Sequence, residues 1–156
     1  MNSIIEHYYP TFVMYQALRE QMMELLKDED LAFTFPGNPS LGALCVEIGE
    51  TEQAYIDSFR TFRQDFSFRL DDAGMAGSVS RLQAWYAELD GELRAAVESL
   101  SEDDVQNRVI ERGFSVPPQI QLTIYNEALL IFYGKASVYL KAMGKELPER
   151  WADWIA

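Results

Sequence analysis

The stretch Val79-Ser80-Arg81-Leu82-Gln83-Ala84-Trp85-Tyr86-Ala87-Glu88-Leu89-Asp90-Gly91-Glu92-Leu93-Arg94-Ala95-Ala96-Val97-Glu98-Ser99-Leu100 decides the fold class. Its apolar residues Val79, Leu82, Trp85, Tyr86, Leu89, Leu93, Val97 and Leu100 recur every three or four positions, the period of a helix with one buried stripe. The same period extends outward in both directions. Upstream, Phe12, Tyr15, Leu18, Met22, Leu25 and Leu26 predict a helix over Tyr9 to Lys27, with Pro10 in its first turn, where a missing N–H does no harm. Before it, Ser3-Ile4-Ile5-Glu6 has capping-box spacing and predicts an extra turn. After the loop Phe35-Pro36-Gly37-Asn38-Pro39, the residues Leu41, Leu44, Cys45, Ile48, Tyr55, Ile56, Phe59 and Phe62 predict a second helix over Pro39 to Phe66, capped by Asn38. Gly74 to Ser78 separates it from the opening stretch.

Downstream, Ser101-Glu102-Asp103-Asp104 reads as a cap followed by a short turn or helix, and Val105 to Val116 as extended or irregular chain. Pro117-Pro118 opens a fourth helix that stops at Met143 before Gly144. Its middle, Leu122 to Phe132, is apolar on nearly every side and is expected to be the most buried. The tail Trp151-Ala152-Asp153-Trp154-Ile155 is expected to fold its indoles back onto the bundle. The whole predicts one all-α domain over residues 1–156, built from four long helices.

Composition narrows the function. The chain has 156 residues, long enough for one core, and 25 acidic against 13 basic residues give a net charge of −12. Such a surface argues against nucleic acid, whose phosphates need a basic footprint, and against anionic lipid. No run approaches the ~20 apolar residues of a membrane span. Met1 to Pro10 has no Lys or Arg and no apolar core, so no signal peptide is read there, and a cytoplasmic protein is expected. A single His, His7, and a single Cys, Cys45, exclude an intramolecular disulfide, a Cys-rich zinc site and any multi-histidine metal cage. Cys45 fits a small core residue. No glycine-rich phosphate loop is present, and His7, beside Tyr8, Tyr9 and Pro10, reads as the exposed entrance of the first helix, with a catalytic base as the sharper alternative.

Two further segments carry a resemblance. Leu44-Cys45-Val46-Glu47-Ile48-Gly49-Glu50-Thr51-Glu52-Gln53-Ala54-Tyr55 resembles the second helix of DinB-like bundle proteins, and Tyr133-Gly134-Lys135-Ala136-Ser137-Val138-Tyr139-Leu140-Lys141-Ala142-Met143-Gly144 with Pro148 resembles the end of their last helix. The resemblance implies a DinB-like four-helix bundle, with an up-down framework and one longer crossover, and a homodimer. It also implies a metal site of three histidines, which by position fall on Glu47, Ala128 and Phe132. Alanine and phenylalanine offer a metal no donor, so no metal and no other cofactor is expected.

The pocket equivalent to that site is expected to involve Glu47, Glu52, Tyr55, Tyr125, Ala128, Phe132 and Lys135. On a helical wheel Lys135 lies within roughly 20° of Ala128 and Ile124, among apolar neighbours. It either pairs with Glu52 or Glu47 across the second and fourth helices, or reaches out to water while both glutamates are solvated. Tyr55, Tyr125, Phe132 and Tyr133 either wall a cavity or are plain core; Asn126 and Glu127 either line the pocket or face solvent. Two function classes follow. One is a metal-free module that binds a small ligand or acts through its dimer surface. The other is a divergent metal-dependent enzyme, thiol-transferase-like or hydrolase-like, with Glu47 in place of histidine and Glu50 one turn away.

Overall fold

A computed structural model of the chain describes residues 1–154. It contains α1 (Ser3–His7), α2 (Tyr9–Leu25), α3 (Leu41–Thr61), α4 (Val79–Glu98), α5 (Glu102–Asn107), a two-stranded hairpin of β1 (Ile110–Glu111) and β2 (Ser115–Val116), and α6 (Pro118–Ala142). Short 3₁₀ turns at Asp28–Ala32, Met75–Gly77 and Glu149–Asp153 complete it. The four long helices are those expected, and the fold is all-α. The hairpin supplies the extended chain read before Pro117, although Val105 belongs to α5.

Their directions follow from the contacts. Tyr133 Oη donates to Tyr15 O at 2.5 Å, and Lys145 Nζ to Leu25 O at 3.4 Å, so α2 and α6 run side by side in the same direction. Tyr86 Oη donates to Cys45 O at 2.6 Å, and Arg60 meets Glu92 at 3.1 Å, so α3 and α4 also run parallel. Tyr139 Oη donates to Pro39 O, whereas Tyr55 stacks on Tyr125, so α3 and α6 are antiparallel. The order is up-down-down-up. The longer crossover is therefore residues 62–78, which must carry the chain back along the whole of α3.

Helix ends depart from expectation where tertiary partners compete. The cap of α1 is Asn2, not Ser3: Asn2 Oδ1 accepts from Ile5 N, while its Nδ2 donates to Val97 O and Leu100 O at the end of α4. One buried amide thus terminates two helices. Ser3 instead gives both its N–H and its hydroxyl to Glu102. Helix α3 starts on Ser40, whose hydroxyl accepts from Ala43 N, rather than on Asn38 and Pro39. It stops at Thr61, short of Phe66, because Phe62 turns left-handed at φ 59°. An unusual conformation for a bulky residue, it is held by Arg108, 3.4 Å over the Phe62 ring, and by Glu111 N donating to Phe62 O.

One apolar cluster runs through all four long helices. Gly42 and Gly49, two turns apart on α3, admit close neighbours: a β-carbon at Gly42 would strike the Ala76 carbonyl, and one at Gly49 the Trp85 ring. Cys45 is fully buried, and burial pushes its thiol up to about 12. Trp151 is also fully buried, its Nε1 donating to Leu18 O at 3.1 Å. Trp154 lies edge-on to Tyr15 while keeping a solvent face. Ile155, the rest of the expected tail contact, lies outside the described residues.

Candidate functional site

Antiparallel α3 and α6 leave a groove between them. Leu44, Glu47, Ile48 and Thr51 form one wall, and Ala128, Ile131, Phe132 and Lys135 the other, around about 160 Å³. A larger hollow of about 490 Å³ continues it, lined by Phe35, Asn38, Pro39, Val138 and Tyr139 and sharing Leu44, Glu47 and Lys135. The helical period produces this layout: Ala128, Phe132, Lys135 and Tyr139 succeed one another at three- and four-residue steps along one edge of α6. The far end is braced by aromatic contacts, with the Phe35 ring 5.0 Å from Tyr139 and 5.3 Å from Phe33. Glu47 and Lys135 are both exposed, and neither is in an ion pair among the described residues. The groove is apolar, with one carboxylate and one ammonium on opposite walls. Glu50, one turn beyond Glu47, is already engaged: it accepts from Leu70 N at 2.8 Å and faces Arg69 at 3.9 Å.

Four of the seven expected pocket residues, Glu47, Ala128, Phe132 and Lys135, therefore share one groove. Glu52, Tyr55 and Tyr125 do not reach it. They lie in the core, where the Tyr55 and Tyr125 rings stack at 4.8 Å and Tyr55 Oη accepts from Arg112 at 3.3 Å. Of the two alternatives, the pairing of Lys135 with Glu52 or Glu47 is not formed; Lys135 and Glu47 reach solvent, whereas Glu52 does not. Glu52 is instead bound by Arg19 of α2, Nη1 to Oε2 at 2.6 Å, with both side chains buried. Arg19 Nη2 meets Asp90 of α4 at 2.6 Å, the guanidinium stacks 4.0 Å over the Tyr86 ring, and Gln16 also donates to Asp90. One cation thus serves two carboxylates. Burial raises the Glu52 carboxyl to about 7; Arg19 opposes that shift and Asp90 adds to it. Among the described residues, Glu52 Oε1 and Tyr125 Oη have no hydrogen-bond partner.

Arg19 and Asp90 were not among the residues singled out from the sequence, yet both carry a signal. Arg19 sits four residues after Tyr15 and three before Met22, on the apolar stripe of α2, and Asp90 holds the same relation to Tyr86 and Leu93 on α4. A charge in register with a buried stripe requires a buried partner.

A family model described as the DinB superfamily matches residues 13–133. The chain belongs to the DinB superfamily. Among solved structures, a DinB-like protein from Bacillus cereus ATCC 10987 superposes with a TM-score of 0.77 at 17% identity, over 92% of this chain and 95% of that one. A DinB-like protein from Bacillus subtilis does so with a TM-score of 0.71, also at 17% identity, over 94% and 96%. At that identity the likeness concerns the fold. No curated protein matches the chain.

The metal implied by the DinB resemblance can be tested against the donors at hand. Of the three positions, only Glu47 carries a ligating atom; Ala128 and Phe132 carry none, and the Lys135 ammonium lines the same groove. Among the described residues, no three His, Cys, Asp or Glu side chains converge in a way that could hold a metal ion. The residues do not fit that metal. Among the described residues, no helix of this DinB bundle is long and apolar enough to cross a membrane.

Proposed function

We propose that this DinB-superfamily protein is a small-ligand-binding module, with the ligand seated in the α3/α6 groove and no resident metal. One observation supports the reading: where the resemblance implies a metal triad, the groove has an apolar floor with Glu47 and Lys135 on facing walls. Apolar walls with a few convergent polar groups suit a ligand whose body is hydrophobic and whose charge fixes its orientation. The combined space accommodates a molecule of one or two rings. The anionic naphthalene dye ANS serves as a probe. Its fluorescence should rise on binding, at least fivefold less readily in Ala128→Trp, which fills the groove, and in Lys135→Glu. Melts with nickel, zinc or manganese should leave Tm unchanged. Stoichiometric metal that is lost in Glu47→Ala would overturn this reading in favour of a metal-dependent enzyme.

A second reading rests on the rim. Ile131 and Val138 are more than half exposed and flank Lys135 by one turn on either side. The same face then joins two copies, the oppositely charged Glu47 and Lys135 meeting across a two-fold axis. Sedimentation separates the readings: a dimer that Val138→Glu dissociates supports this one, and a monomer in both proteins supports the ligand groove alone.

A further inference from the structure

Three charged side chains interrupt the apolar stripes of α2, α3 and α4 and meet in the core. Arg19 Nη1 donates to Glu52 Oε2 and Arg19 Nη2 to Asp90 Oδ1, both at 2.6 Å. Gln16 donates to the same Asp90 oxygen. Solvent reaches the three unequally. The side chains of Arg19 and Glu52 are 2% and 0% exposed, whereas that of Asp90 is 22% exposed. A hollow of about 240 Å³ between α2 and α4 accounts for the difference. Exposed Glu20, Glu24 and Gln83 line its outer part and Arg19, Tyr86 and Asp90 its floor, while Glu52 takes no part in it.

One guanidinium thus faces two carboxylates. With both ionised, the dry centre of the bundle holds a negative charge that nothing balances. Around the cluster stand Arg19 and Tyr9 of α2, Asp90 and Tyr86 of α4, and Tyr125 and Tyr133 of α6. Burial holds all four phenols, and the Cys45 thiol on α3 itself, in their protonated forms. A proton on Glu52, the carboxyl without solvent, restores the balance and leaves Asp90 charged. Because burial pushes that carboxyl up to about 7, its state changes near neutrality. We infer that this cluster is a proton-operated latch on α2: a proton on Glu52 holds α2 against α3 and α4, and its loss lets water into the α2/α4 seam. The hollow sets where the seam gives way, because solvent already has access to Asp90, the nearer carboxylate. The latch belongs to the core and does not depend on what the α3/α6 groove binds.

Trp151 reports on the latch, since its Nε1 donates to Leu18 O, one residue from Arg19, at 3.1 Å. Its indole N–H signal in NMR should titrate with a single midpoint near pH 7. Glu52→Gln, which cannot ionise, should abolish that titration, and His7→Gln, which removes the chain's only imidazole, should leave it. Asp90→Asn gives Glu52 sole use of the guanidinium and should lower the midpoint by about one pH unit or more. Opening itself is read from amide hydrogen exchange, wild type against Glu52→Gln at equal pH, so that base catalysis cancels. Amides of α2 around Arg19 should exchange alike in the two proteins at pH 6 and about tenfold faster in wild type at pH 8. Those of α6 should match at both. An unmoved midpoint in Asp90→Asn, or equal α2 exchange at pH 8, would overturn the latch. So would acceleration of α6 to the same degree as α2, which means loosening of the whole bundle rather than release of one helix.

Discussion

Glu52 shows how one residue sets the electrostatics of the core. A single guanidinium cannot fully compensate two carboxylates in a desolvated centre, so Glu52 holds its proton up to about pH 7 rather than the usual 4.5. Between those values the folded chain binds a proton there that the unfolded chain has released. The stabilising contribution is therefore complete below pH 4.5 and is lost as pH rises to 7, at up to about 1.4 kcal/mol per pH unit. Urea unfolding of wild type and Glu52→Gln at pH 5 and 7.5 should show this: the advantage of wild type over the variant shrinks at the higher pH. Arg19→Met strands both carboxylates and should lose about 3–5 kcal/mol, part of which Glu52→Gln in the same chain restores. The sequence exposed half of this arrangement. Glu52 was readable as a charge on an apolar stripe, and so in principle were Arg19 and Asp90, but nothing local says which charges will meet across a bundle. Lys135 had the same signature and faces solvent instead.

Among the elements, the middles of helices were more legible than their ends. Periodicity placed α2, α3, α4 and α6 because burying a stripe is a property of the segment itself. Ends are settled by competition. The end of α3 is the clearest case: Phe59, Phe62 and Phe66 continue an apolar pattern without a glycine or proline stop, yet Arg108 and the backbone of Glu111 hold Phe62 in a left-handed turn. Glycines within helices divide on the same ground of tertiary contact. Gly49→Ala should lower stability by about 1–3 kcal/mol, because the added carbon meets Trp85 and pries α3 from α4. Gly134→Ala, on α6 with open space around it, should raise stability by about 0.5–1 kcal/mol through better helix propensity. Thermal or urea unfolding of the two variants checks both signs. The α3/α6 groove was legible to a similar degree: residues spaced along one edge of one helix were found together, whereas those one stripe over, Glu52, Tyr55 and Tyr125, turned inward.

At the scale of the whole molecule, the up-down-down-up order places α3 and α4 in parallel against each other, and the Tyr86 hydroxyl bonded to the Cys45 carbonyl lies in that seam. Helix order and number could be read along the chain; which helices lie side by side could not, because that depends on the path of residues 62–78. The position of Cys45 in this seam has a kinetic consequence. It is the only thiol, fully buried, with its ionisation pushed to about 12, and only a thiolate attacks a disulfide reagent at a useful rate. With an aromatic disulfide reagent at pH 8, the native protein should react at least a thousandfold more slowly than the protein in urea, and rapid labelling of the native state would refute this burial. The residual rate then counts openings of the α3–α4 seam. The bundle carries its own clock for how often its centre comes apart, without an introduced label.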